Sequence, residues 1–270
     1  SKATRWGALV IVAFTMMAAY YVNDVVAPLK TMLETDLAWS STDFGFFTGG
    51  YSFLNVFFLM LIWGGLILDR FGIRFTGKLA TILMVGGTAL EYYAMTGLAG
   101  ADATLFGINE IFGYKTGVFV AFAGYSIFGV GAEVAGITVS KIIAKWFKGK
   151  ELATAMGVQV ALARIGSQAG YAVAIPLARA FGISPPVLLG LVLLLGGMIA
   201  FFIFAVMDKK LDKQMEAAAI AAGTEDEEEK FSFKDVKNIL VNPGFWLIAL
   251  LCVLFYSCVF PFQKFASELM

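Results

Sequence analysis

Long apolar runs alternate with short polar breaks along the whole chain. The runs cover residues 6–27, 44–68, 76–97, 117–141, 152–178, 186–207 and 244–267. A membrane-spanning helix needs about 20 mostly apolar residues. Spanning β-strands are about 10 residues long and alternate in polarity, and backbone groups in lipid must be satisfied within their own segment. The pattern therefore predicts seven transmembrane helices in an all-α membrane protein. The first run ends in Tyr20, Tyr21, Asn23 and Asp24 and is longer than the apolar core of a signal peptide, which predicts a permanent helix.

Composition agrees. Hydrophobic residues make up 59% of the chain and charged residues 15%, and the mean hydropathy is +0.80. A water-soluble domain carries about 25% charged residues. The implied surroundings are a lipid bilayer. The formal net charge of zero gives no footprint for nucleic acid. Cys252 and Cys258 lie in one apolar run, six positions apart, so they point in different directions on a helix. The chain has no histidine, which removes imidazole from any relay, metal site or hydrolytic triad. With no nucleophile–base pair and no ligand cluster in the sequence, neither an enzyme nor a metal or other cofactor is expected.

Basic residues in the short loops set the expected topology. With the N-terminus inside, nine face the cytoplasm: Lys2, Arg5, Arg70, Arg74, Lys78, Lys141, Lys145, Lys148 and Lys150. Three face outward: Lys30, Lys115 and Arg179. A multi-pass protein with a cytoplasmic N-terminus follows. Its membrane would be the inner membrane of a bacterial cell, or the lysosomal or plasma membrane of a eukaryotic one. The long outer loop 98–116 is expected to form a small cap. Pro185 and Pro186 start the sixth span, where proline is tolerated.

Three segments result. Residues 1–207 form a six-helix transmembrane bundle. Residues 208–243 form a cytoplasmic linker, helical around 211–222, acidic at 225–229, with a surface helix expected over 231–240. Residues 244–270 hold the seventh helix.

Chemistry concentrates in two places. The first is Gly65-Leu66-Ile67-Leu68-Asp69-Arg70-Phe71-Gly72-Ile73-Arg74, after the second span. Gly65 permits close approach of a neighbouring helix. Asp69 lies at a helix C-terminus, where the helix dipole disfavours an anion, so it needs a cation or another helix's N-terminus. Gly72 permits a tight turn, and Arg70 and Arg74 hold the loop in water. The second is a pair of ionisable residues within the membrane, which are costly and mark functional sites by default. Glu133 lies in the fourth span, about 12 Å from its cytoplasmic end, and Arg164 in the fifth, about 18 Å from its start. Antiparallel neighbours would bring them within reach, either as a helix-locking ion pair or as two poles of a binding cavity. Arginine's planar fork suits a carboxylate.

Tyr125, Asn55, Gln168, Tyr21 and Tyr256 are further candidate lining residues, with Tyr20, Asn23, Asp24, Gln159, Gln263 and Lys264 as softer ones. Glu91 is expected at the interface. Gly166, Gly170, Ala174 and Ala178 recur every four residues and predict a close-packed face.

The Gly65–Arg74 pattern, placed after the second of six spans, resembles the signature of the major facilitator superfamily. The resemblance implies two six-helix halves, with the substrate cavity between them at the membrane midplane. The chain would supply the N-terminal half and the first helix of the C-terminal bundle. The partner half would be missing or supplied by a second chain. The resemblance also implies that Asp69 latches the cytoplasmic gate, with Arg70 and Arg74 as partners. Lys145-Trp146-Phe147-Lys148-Gly149-Lys150, Ala163-Arg164-Ile165-Gly166-Ser167 and Val259-Phe260-Pro261-Phe262 are similar to a branch that carries dipeptides across the lysosomal membrane. That implies a transporter of a short zwitterionic peptide or amino-acid-like solute. Arg164 would then take the substrate carboxylate and Glu133 its amino end. An organic-anion exchanger using Arg164 alone, or a non-transporting scaffold or receptor, are the alternatives. Residues 117–128 contain no basic residue, so the arginine that proton-coupled facilitators carry early in this span is missing.

Overall fold

The computed structural model describes residues 2–100, 104–222 and 240–269. They form α1 (Lys2–Val25), a 3-10 turn (Ala27–Leu29), α2 (Lys30–Asp36), α3 (Ser41–Phe57), α4 (Met60–Thr96), β1 (Glu110–Ile111), β2 (Tyr114–Lys115), α5 (Thr116–Trp146), α6 (Leu152–Phe181), α7 (Pro185–Ala222) and α8 (Pro243–Leu269). The fold is the all-α membrane architecture that the apolar runs predict. Lys2–Asp36, α5 and Pro185–Gln214 are each long and apolar enough to cross a bilayer, and α3 with α4 qualifies as a bent pair. The 30 residues of α6 reach about 45 Å, also sufficient to cross.

The second span departs from expectation. Instead of one helix over 44–68, α3 ends at Phe57 and α4 starts after Leu59, with a 58° bend between them. Leu59 sits in the left-handed region (φ 50°, ψ 40°), which interrupts the hydrogen-bond ladder. Farther on, the expected loop between spans two and three shrinks to a kink. Helical turns continue through Met60–Thr96 and only Gly72 departs, at φ 75° and ψ 172°. That region is open to glycine alone. The start of α3 is fixed by a capping box: Ser40 Oγ accepts from the Asp43 amide at 3.1 Å, and Asp43 Oδ2 accepts from the Ser40 amide at 2.8 Å.

The chain divides into two compact units, Ser1–Asp208 and Lys209–Met270. In the first, α5 packs along α3 and α4, and α1 packs along α6. Small residues set these distances. A Cβ on Gly124 would lie 2.7 Å from the Gly87 carbonyl of α4, and one on Gly166 would overlap the Met17 carbonyl of α1. Gly166, Gly170, Ala174 and Ala178 are all buried, as their spacing predicts.

The loop expected as a cap contains a small hairpin. β1 and β2 pair antiparallel, Glu110 opposite Lys115 and Ile111 opposite Tyr114. In the second unit, Trp246 Nε1 donates to the Leu240 carbonyl at 2.7 Å. The acidic run 225–229, residues 231–239, and the side chains of Gln263 and Lys264 lie outside the described residues.

Candidate functional site: a polar face and a charged end

Glu133 on α5 is half-buried and accepts a 2.8 Å hydrogen bond from the Tyr51 hydroxyl of α3. The two helices meet closely here, since a Cβ on Gly129 would lie 2.5 Å from the Tyr51 carbonyl. One turn beyond Tyr51, Asn55 donates Nδ2 to that carbonyl at 2.9 Å. Its Oδ1 is buried and has no hydrogen-bond partner among the described residues.

Arg164 projects from α6 onto an exposed position, with its guanidinium 5.5 Å from the Tyr20 ring of α1. Gln168, one turn on, is exposed on the same side. Among the described residues, no ion pair joins Arg164 to Glu133. The physical reason is the packing. The small-residue face of α6 seats it on α1, whereas α5 is seated on α3 and α4. The two charge-bearing helices hardly meet.

Two residues expected to line a cavity, Tyr125 and Tyr21, are buried within the first unit. Tyr125 is fully buried, and its hydroxyl bonds to the Asn23 carbonyl and Oδ1 at 2.9 and 3.1 Å. Tyr21 is buried and donates to the Pro186 carbonyl at 3.2 Å. Both hydroxyls tie helices together inside the first unit. Glu91, expected at the interface, is 0% exposed on the α4 face that meets α5. Tyr256 belongs to α8 in the second unit, half exposed and edge-on to Phe255.

The other cluster lies at the end of the bundle that holds Lys2. Asp69 Oδ1 is 2.7 Å from Lys141 Nζ of α5. The expected partners Arg70 and Arg74 are engaged elsewhere: Arg70 lies over the Phe71 ring at 5.6 Å, and Arg74 is 3.5 Å from Asp208. Asp208, near the middle of α7, is 0% exposed. It also receives Lys145 Nζ at 2.8 Å and Trp146 Nε1 at 2.9 Å. A buried carboxylate costs several kcal/mol of desolvation unless paired and hydrogen-bonded, and three donors from α4 and α5 supply that here. By sequence alone Asp208 is merely the first residue of the linker. The signal for its role is an acid at the end of an apolar run, with an excess of basic residues on the same side. Gly65 has open space around it among the described residues; Gly64 makes the close approach instead, where a Cβ would lie 2.7 Å from Val134 Cγ2.

Between α5 and α6, Glu151 gathers Lys2 at 2.8 Å, Arg5 at 3.5 Å and Trp6 Nε1 at 3.3 Å. The Lys2 hydrogen bond, helped by that cation's charge, the Trp6 bond and Arg5, holds its carboxyl below the usual glutamate range. Among the described residues, no group of three or more acidic or cysteine side chains is arranged to hold a metal.

Long apolar helices, polar side chains bonded between them, a charged cluster at one end and a glycine-kinked connection between the second and third crossings describe a multi-pass membrane protein. The chain belongs to the major facilitator superfamily, whose family model matches residues 9–267. It is similar to the lysosomal dipeptide transporter MFSD1 of Homo sapiens, 27% identical over 266 residues, covering 94% of this chain and 51% of the relative. The MFSD1 of Danio rerio is 27% identical over 265 residues, covering 94% and 52%. That of Gallus gallus is 34% identical over 149 residues, covering 52% and 32%. The chain spans about half the length of the curated relatives that it matches across nearly its whole length.

Proposed function

We propose that this chain forms the N-terminal half of an alternating-access carrier for a short zwitterionic peptide. The observation that carries the reading is the separation of Arg164 from Glu133. A locked ion pair would have satisfied both charges; here each keeps capacity for a ligand. Arg164 takes the substrate carboxylate with its planar fork, and Glu133, oriented by Tyr51, takes the amino end. Asn55 Oδ1 offers a further acceptor, and Gln168 extends the polar stripe of α6. The activity for which the relatives are named, dipeptide transport, agrees with this substrate class.

A second six-helix half, from the same polypeptide or from another chain, completes the carrier. Residues 1–207 are one transmembrane bundle, 208–243 a cytoplasmic connection and 244–270 the start of that second half. The N-terminus is cytoplasmic. Asp69, Arg70, Gly72 and Arg74, with Lys141, Lys145 and Asp208 now added, form the cytoplasmic gate.

The exposed guanidinium of Arg164 also fits an organic-anion exchanger, and one assay on the complete transporter in proteoliposomes separates the two. Losing a charge-assisted contact costs about 1.5–3 kcal/mol, roughly 10- to 150-fold in uptake. Arg164→Ala should lower dipeptide uptake by at least that much. Glu133→Gln should do the same for a dipeptide but spare a dicarboxylate. Dicarboxylate uptake that survives Glu133→Gln, with no dipeptide uptake in the wild type, would establish the exchanger instead.

A further inference from the structure

The hairpin loop repeats a short motif: Leu105-Phe106-Gly107-Ile108, then Ile111-Phe112-Gly113-Tyr114. Each is a two-residue turn. Leu105 and Ile108 exchange backbone hydrogen bonds at 3.0 and 3.1 Å, and Ile111 faces Tyr114 across the strands. All four central residues have positive φ: 54° and 81° in the first turn, 54° and 80° in the second. Positive φ at both central positions is the type I′ pattern, which favours Asn, Asp or Gly at the first of them. Phenylalanine stands there twice, in a conformation unusual for a bulky side chain. Both rings are also almost fully exposed, Phe106 at 96% and Phe112 at 89%. Neither local folding nor water favours that choice, so the rings have another environment.

Their neighbours identify it. Phe112 is 6.0 Å from Phe119, in the first turn of α5. From there a chain of rings continues through Phe122 at 6.2 Å to Phe53 at 5.3 Å and Phe57 at 5.3 Å, the last two exposed on α3. On the other side Tyr114 stacks on Phe46 at 3.9 Å. The hairpin therefore lies down along the beginnings of α3 and α5, and its Phe112 tip extends the exposed apolar surface of the spanning helices. Beside it, a cleft of about 500 Å³ is lined by Ser40, Thr42, Asp43, Glu110 and Lys115 together with Phe112. An aromatic edge against a mixed-charge edge, at the end of a spanning bundle, matches the polarity gradient between acyl chains and lipid headgroups. We infer that Phe106 and Phe112 are a two-pronged anchor that inserts into the interfacial zone of the bilayer, in the leaflet at the hairpin end.

The test places a nitroxide at Phe106→Cys or Phe112→Cys in the complete transporter, on a background without other cysteines, in phosphatidylcholine nanodiscs. Molecular oxygen concentrates in lipid, and a nickel chelate stays in water. Oxygen should relax both labels more than nickel does. Stronger relaxation by nickel would put the tips in water, and protection from both reagents would put them against protein; either overturns the inference. A second variant guards against misfolding. Phe106→Asn with Phe112→Asn suits the type I′ turns and removes the rings. With a nitroxide at Ile108→Cys, nickel accessibility should rise in that double variant; no change would also overturn the anchor.

Discussion

Asp208 shows how a single buried charge organises several helices. Its carboxylate is sealed from water yet meets Lys145, Trp146 and, at longer range, Arg74. Breaking a buried pair costs about 3–5 kcal/mol, and partial exposure of Lys145 and Arg74 moderates this. Asp208→Ala should therefore cost about 2–3 kcal/mol, read as a lower thermal midpoint in detergent, and Lys145→Met should cost less because two donors remain. An unchanged midpoint would remove Asp208 from the set of structural anchors. Glu151 behaves differently, because its partners are at the surface. Its carboxyl is held below the ordinary range by Lys2 first of all. A depressed carboxyl stabilises the fold above the unfolded value, near 4.3, and loses that effect as pH falls through the folded value. The thermal advantage of wild type over Glu151→Gln should be complete at neutral pH and vanish in acid. A gap that persists at low pH would mean the tether is not electrostatic.

At the scale of elements, helix contacts follow small residues, and the placement of the candidate site follows the contacts. Gly166 lets α6 sit directly on the α1 backbone. That packing swings Arg164 onto the Tyr20 side, away from Glu133. Gly166→Leu would force α1 and α6 apart. Overpacking of this kind costs about 1–3 kcal/mol, so the melt should drop. Because Arg164 is carried by the same helix, the dipeptide uptake proposed above should fall further than the loss of folded protein explains. Uptake that merely tracks protein level would detach the ridge from the site. The break at Leu59 and the kink at Gly72 make the other element-level point. Both interrupt apolar or helical continuity, but only the second has a residue that announces it. A leucine in the left-handed region carries no sequence mark, so a continuous span is the natural expectation for 44–68.

For the whole molecule, residues Ser1–Asp208 form one compact helical unit whose exposed side chains include many large apolar ones, as a bundle set in lipid requires. Seven apolar runs, the Gly65–Arg74 motif and the two intramembrane charges were all legible in the sequence, because each rests on composition or on local spacing. The membrane class and the superfamily follow from them. The identity of partners was not legible. Lys141 for Asp69, Asp208 for Arg74 and Tyr51 for Glu133 all lie on other helices, and no local pattern ranks the candidates. Tyr21 and Tyr125 carried the same residue type as cavity-lining tyrosines, yet they point inward.

Hydrophobic length and charge bias thus determined from sequence alone that this chain lives in lipid as a bundle of helices. Both are additive properties of neighbouring residues. Which side chains pair, which face the open side and where a helix breaks were decided by tertiary packing, since those depend on the rotation and depth of each helix against its neighbours, set by small residues distant in the chain.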